Sequence, residues 1–220
     1  MYDVRLLRGL FKPNLSFYQL TIAESYKGFR WRLILLMLLS IIIFSISAGF
    51  GLGTEVLSGS LAQVSPETFA ATKLMYIFGK AILGLLFAVI ILLVPSLLYW
   101  TLTPSTYGKL VIVQLFVLSI LLIEKVIMIP LVIWGGIEWF SSPLSLGVIG
   151  QFITHNEFVI KCLGIVSLLK LWAVIVQYKG IKRLNREMSW KNILLMVVMI
   201  NVIFWIIEAV LASVNFTRLI

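Results

Sequence analysis

The sequence predicts an all-α membrane protein, a bundle of five transmembrane helices preceded by an N-terminal amphipathic interfacial helix. Three observations carry this. Of the 220 residues, 61% are hydrophobic and only 12% charged, with a mean hydropathy of +1.08, far from the balance of a soluble domain. Five apolar segments, near 31–53, 75–100, 109–135, 157–178 and 192–215, each reach the roughly 20 residues that a helix needs to cross a bilayer. Finally, the Lys and Arg residues concentrate on alternate connectors. The uncharged run 81–108 has no place in a soluble domain of this size. The alternation of a barrel strand is missing, so backbone hydrogen bonding within lipid requires helices.

The lead, residues 1–30, is expected on the cytoplasmic membrane surface. From Asp3 to Lys12 the spacing predicts a short amphipathic helix, with Val4, Leu7, Leu10 and Phe11 toward one face and Arg5, Arg8 and Lys12 toward the other. Pro13-Asn14 interrupts it, and a second helix over about 16–28 places Phe17, Leu20 and Ala23 on one side before Trp31 marks the interface. The transmembrane region, 31–216, follows. Its second and third spans contain Pro95 and Pro130, which free backbone carbonyls and favour kinks. A Gly- and Ser-containing loop is expected over 51–66. The apolar stretch 141–151 is too short to span and reads as interfacial or partly re-entrant. No internal repeat suggests an inverted-repeat transporter.

Orientation follows from the cations at the span ends. Arg5, Arg8, Lys12, Lys27, Arg30 and Arg32 precede the first span, Lys109 lies between the second and third, and Lys179, Lys182, Arg183, Arg186 and Lys191 separate the fourth and fifth. The opposite side holds Lys73 and Arg218 with Glu55, Glu67, Glu138 and Glu157. This predicts a multi-pass membrane protein, N-terminus cytoplasmic and C-terminus extracytoplasmic. The formal net charge of +9 then reflects topology and attraction to anionic inner-leaflet lipid, not nucleic-acid binding. About thirty residues precede the first apolar run, unlike a cleaved secretory signal. Cys162, the only cysteine, falls within the fourth span and is expected to pack there. His155, the only histidine, is expected at the surface. The N-x-S/T patterns at Asn14 and Asn215 fall in the cytoplasm and against the membrane, unsuited to glycosylation.

The costly residues are the polar ones inside the spans. At about 1.5 Å per residue, Glu124, Lys125, Lys161 and Glu208 come to similar depths, with Lys170 nearer the cytoplasmic half. A charge at the bilayer centre costs about 2.5–3.5 kcal/mol on insertion scales, so pairing or water access is required. Asn201, Trp205, Glu208, Ala212 and Asn215 form one stripe on the fifth span. Ser167, Lys170 and Gln177 share a face of the fourth, and Gln114 and Lys125 a face of the third. The expected pairings are Glu208 with Lys125 or Lys161, and Lys170 with a carbonyl or Asn201. Three roles fit the set Glu124, Lys125, Lys161, Lys170, Asn201 and Glu208: ion pairs and hydrogen bonds that fix the bundle, a polar cavity for ions, protons or a lipid headgroup, or a contact surface for another membrane subunit.

Catalysis has little support. There is no H-E-x-x-H, no Gly-rich phosphate loop, no G-x-S-x-G and no second histidine, and the only aspartate is Asp3. No cofactor and no metal site are expected.

The order of pieces along the chain resembles bacterial members of the Yip family of five-span membrane proteins, a resemblance that implies a bacterial cell membrane. The carriers are Phe11-Lys12-Pro13-Asn14-Leu15-Ser16-Phe17-Tyr18, then Arg30-Trp31-Arg32, the segment 106–113 entering the third span, and Leu171-Trp172 with Gly180-Ile181-Lys182 leaving the fourth. The lead is much shorter than the cytoplasmic region of the eukaryotic, Rab-interacting members, so a Rab-type partner is not expected. The resemblance implies a membrane scaffold or accessory subunit that assists a transport or envelope complex, such as an ABC-type exporter. The family supplies no catalytic residues. Under this reading Arg5, Arg8, Lys12, Lys179, Lys182, Arg183 and Arg186 form a cytoplasmic basic contact surface, and the partners are membrane lipid and another membrane protein. The alternative is a transporter or channel for a lipid or small solute through the intramembrane polar cavity.

Overall fold

The computed structural model describes residues 2–4, 6–52, 65–137 and 141–213, without the side chains of Tyr2, Leu7, Arg8, Pro66, Glu157, Ala212 and Ser213. The expected loop 51–66 and the positions Arg5, Glu55, Glu138, Asn215 and Arg218 fall wholly or largely outside the described residues. Among the described residues the fold is mainly helical, with one short parallel ladder in which β1 (Tyr2–Asp3) pairs with β2 (Tyr26–Lys27). The helices are α1 (Leu6–Phe11), α2 (Pro13–Ile22), α3 (Phe29–Gly49), α4 (Pro66–Leu102), α5 (Tyr107–Gly135), α6 (Gly147–Ile153), α7 (Glu157–Ile165), α8 (Leu168–Leu184) and α9 (Trp190–Ser213).

Four of these, α3, α4, α5 and α9, are long and apolar enough to cross a membrane, which makes the chain a multi-pass helical membrane protein. Their outward faces expose Leu38, Ile42, Leu86, Leu97, Leu195 and Ile206, among others, a surface suited to acyl chains. Exposed Trp31, Trp100, Trp134 and Trp190 sit near helix ends, where an indole ring suits the headgroup layer. At 37 residues α4 is about 55 Å long. It therefore projects beyond a hydrocarbon core of roughly 30 Å or crosses it tilted.

The helix α5 is the centre of the bundle. Every residue from Leu110 to Leu122 is buried, because α1, α3, α4 and α8 all pack against it. Close approach elsewhere depends on small residues. Ser40 Oγ of α3 donates to the Gly84 carbonyl of α4 at 2.7 Å, and a Cβ on Gly84 would sit 2.9 Å from both that backbone and Phe44. Gly84 therefore serves packing within the chain.

The lead is built into the bundle. Val4, Leu10, Phe17, Leu20 and Ala23 are buried, and the Phe17 ring meets Phe116 of α5 edge-on, 5.3 Å between centroids. Pro13 begins α2, as a residue without an N–H can at the first helical turn. Phe17, Leu20 and Ala23 share the buried side as their spacing requires. Phe11 does not join Val4 and Leu10: it ends α1 and is 81% exposed, since a helical neighbour points about 100° away. Gly28, with φ +72, turns the chain into α3. The Arg32–Asp3 ion pair at 2.9 Å ties the start of the chain to that helix.

The segment expected to form the fourth span is two helices. α7 and α8 meet at Val166–Ser167, both extended. α8 then runs on to Leu184, past the expected end at 178. The stretch after α5 folds back against this break. Leu146 N donates to Val166 O and Leu168 N donates to Leu144 O, each at 2.9 Å, forming an antiparallel bridge between Ser145 and Ser167. α6 packs on α7.

Candidate functional site

Three chemical features converge at the break. The first is satisfied backbone. Non-helical backbone at membrane depth persists only where its polar groups find partners in the protein or in water. Here the 142–146 turn supplies them. Ser167 is suited to end one helix and start the next, because its hydroxyl competes for backbone groups. It caps α8 by accepting from Lys170 N at 3.1 Å. Within the turn, Ser142 Oγ accepts from Leu144 N and Ser145 Oγ accepts from Gly147 N, both at 3.3 Å. All three serines are buried.

The second feature is charge. Lys170 Nζ donates to Glu208 Oε2 at 2.6 Å, joining α8 to α9. The expected partners of Glu208 were Lys125 or Lys161, and the correction has a simple cause. Counted from Leu184, Lys170 lies about 21 Å up α8, whereas Glu208 lies about 27 Å from Trp190. The extra turns of α8 bring Lys170 close enough to that level for its long side chain to reach Glu208. Lys170 is 12% exposed, but Glu208 is 45% exposed, so one side of the carboxylate is not covered by the chain.

The third is a cleft of about 50 Å³ between these groups. Glu124, Lys125, Ser142, Ser145, Ser167, Lys170 and Glu208 line it, with Met128 and Ile165 among the apolar walls. Such a volume holds one or two waters or a small ion. Glu124 and Lys125 contribute without a hydrogen bond or ion pair to any described residue. Lys161, on α7, is not among the cleft-lining residues. Asn201 joins a separate uncharged chain one level nearer α9's start: its Nδ2 donates to Gln177 Oε1 at 2.6 Å, and Gln177 Nε2 donates to Gln114 Oε1 at 3.2 Å. Asn201 is thus the partner of Gln177, not of Lys170.

Ser142 and Ser145 escaped the sequence reading. The available signal was the Ser141-Ser142-Pro143 cluster, whose turn chemistry contradicts a plain apolar segment. Among the described residues no group of His, Cys, Asp or Glu is arranged to hold a metal. Cys162 is half-buried and free, and His155 is exposed.

On the basic surface, Lys12, Lys179, Lys182, Arg183 and Arg186 are exposed, while Arg5 and the Arg8 side chain lie outside the described residues. The guanidinium groups of Arg183 and Arg186 lie 4.9 and 5.6 Å from the Tyr18 ring centroid, so α2 and the end of α8 form one surface. Lys109 of α5 adds a hydrogen bond to Thr21 O at 2.8 Å. Compared with protein-family models, curated proteins and solved structures, the chain finds no match among them.

Proposed function

We propose that the chain is a small transporter or channel whose centre is the polar cleft at the Val166–Ser167 break, and that it passes a small polar solute or ion. The observation that carries this reading is the helix break at Val166–Ser167, bridged by the 142–146 turn and lying beside the Lys170–Glu208 ion pair. Broken helices near the membrane middle serve in transporters to aim half-helix ends and free carbonyls at a substrate. A purely structural role does not require a helix to be broken where its ion pair is made. The half-exposed Glu208 also needs a wet or polar surrounding. In this reading α7 and α8 together form a fifth span, giving a cytoplasmic N-terminus in a bacterial cell membrane. The Yip-like order of pieces supports the same span count.

The test is flux of protons, monovalent ions and small neutral solutes into proteoliposomes. Wild-type protein is expected to pass at least one of them. Glu208→Gln and Lys170→Met are expected to reduce that flux at least tenfold while the protein still elutes as one folded species. Equal flux through wild type and both variants removes the transport reading. It leaves the partner-binding role, with Lys12, Lys179, Lys182, Arg183 and Arg186 as the contact surface.

A further inference from the structure

Lys125 also lines a second and larger cleft, of about 210 Å³, between α3, α4 and α5. Its walls are apolar, with Ile43, Phe44 and Ile129 among them. Its polar lining residues are Ser47, Lys80 and Lys125. The position of Lys125 is costly. It is partly buried, and among the described residues it has no hydrogen bond or ion pair. It stands nine residues, about 13 Å, from the exposed Trp134 that marks the nearer end of α5. A helical Cα–Cβ bond also tilts toward the helix N-terminus, away from that end, so the ammonium is poorly placed to reach the headgroup layer there by extending along the helix. Lys80, whose Nζ lies 5.3 Å from the Tyr76 ring, is the other basic residue of the lining.

An ammonium without a protein partner beside an apolar pocket is the complement of an anion with a hydrocarbon tail. We propose that this cleft binds an anionic phospholipid, its phosphate on Lys125 and Ser47 and part of an acyl chain along Ile43, Phe44 and Ile129. The volume corresponds to about seven waters at roughly 30 Å³ each, enough for a phosphate and the first part of a chain, with the remainder in the surrounding bilayer. The ligand would supply the counter-charge that Lys125 does not find among the described residues. The site is independent of the transport reading, because a lipid can be held here whether or not the cleft at Glu208 passes a solute.

The experiment uses the full chain, delipidated in detergent and examined by native mass spectrometry with short-chain phosphatidylglycerol or phosphatidylcholine of equal chain length. The phosphatidylglycerol is expected to bind at least tenfold more tightly. Lys125→Met is expected to abolish that preference, and Lys125→Arg to keep it. A photoactivatable phosphatidylglycerol is expected to label peptides spanning 43–52 and 125–132, a readout that requires no variant. Equal binding of the two lipids, an unchanged preference in Lys125→Met, or labelling confined to the peptides around Arg183 and Arg186 would each overturn the proposal. Displacement of the lipid by an equal concentration of inorganic phosphate would show that the tail is not recognised and would overturn it too.

Discussion

Gln177 is the residue on which the uncharged interior turns. It accepts from Asn201 and donates to Gln114, so replacing it removes two bonds and strands the buried Gln114 amide, while half-buried Asn201 keeps its bond to Val197 O. Gln114 is different: its Nε2 is buried with no partner at all, and its removal deletes one unsatisfied donor along with one bond. Gln177→Leu is therefore expected to destabilise the bundle by about 1–2 kcal/mol, and Gln114→Leu by clearly less. Thermal unfolding of the two variants in detergent gives the order. Equal losses, or a larger loss for Gln114→Leu, would mean that the amide chain does not hold the helices as described. The same pair shows what spacing can reveal. Ser167, Lys170 and Gln177 read as one face of a helix, and all three make polar contacts, but which amide meets which depends on the neighbouring helices.

At the scale of the element, the break between α7 and α8 rests on a cap and a two-bond bridge. Removing the Ser167 hydroxyl takes away the acceptor for Lys170 N, at a typical cost of about 1 kcal/mol. The backbone bonds of Val166 and Leu168 to the 144–146 turn remain, so Ser167→Ala is expected to loosen the junction without unfolding the chain. Cys162 lies one turn before the break and is the only cysteine, which makes it a reporter in the native sequence. Its maleimide labelling is expected to become several-fold faster in Ser167→Ala. Unchanged labelling would show that the cap does not hold the junction. Hydropathy passes through 157–178 without interruption, because Val166-Ser167 is a small change in composition. Only the turn that comes back to pair with it makes the break affordable in free energy.

For the whole molecule, the open question is which side of the membrane each connector occupies. α7 and α8 together contain 26 helical residues, about 39 Å at 1.5 Å each, enough to cross a hydrocarbon core of roughly 30 Å. Asn156 and Arg186, at the two ends of this pair, should then lie on opposite sides. In a Cys162→Ser background, Asn156→Cys is expected to react with a membrane-impermeant maleimide applied outside intact cells, and Arg186→Cys only after permeabilisation. Reaction of both from the same side would reduce the crossing helices to α3, α4, α5 and α9 and remove the odd span count.

By itself the sequence determined the solvent of this protein: long apolar segments must be helices in lipid, and Trp31, Trp100, Trp134 and Trp190 near helix ends follow from where each segment stops. It also determined which residues cannot face lipid alone, among them Glu124, Lys125, Lys170 and Glu208. The tertiary structure decided the rest. The docking of Val4, Leu10 and Phe17 into the bundle, the Lys170–Glu208 pairing and the closure of Ser145 on Ser167 join residues far apart in the chain. Periodicity reports which side of a helix avoids lipid, but partners are chosen by the relative height and rotation of packed helices, and those are set by long-range contacts.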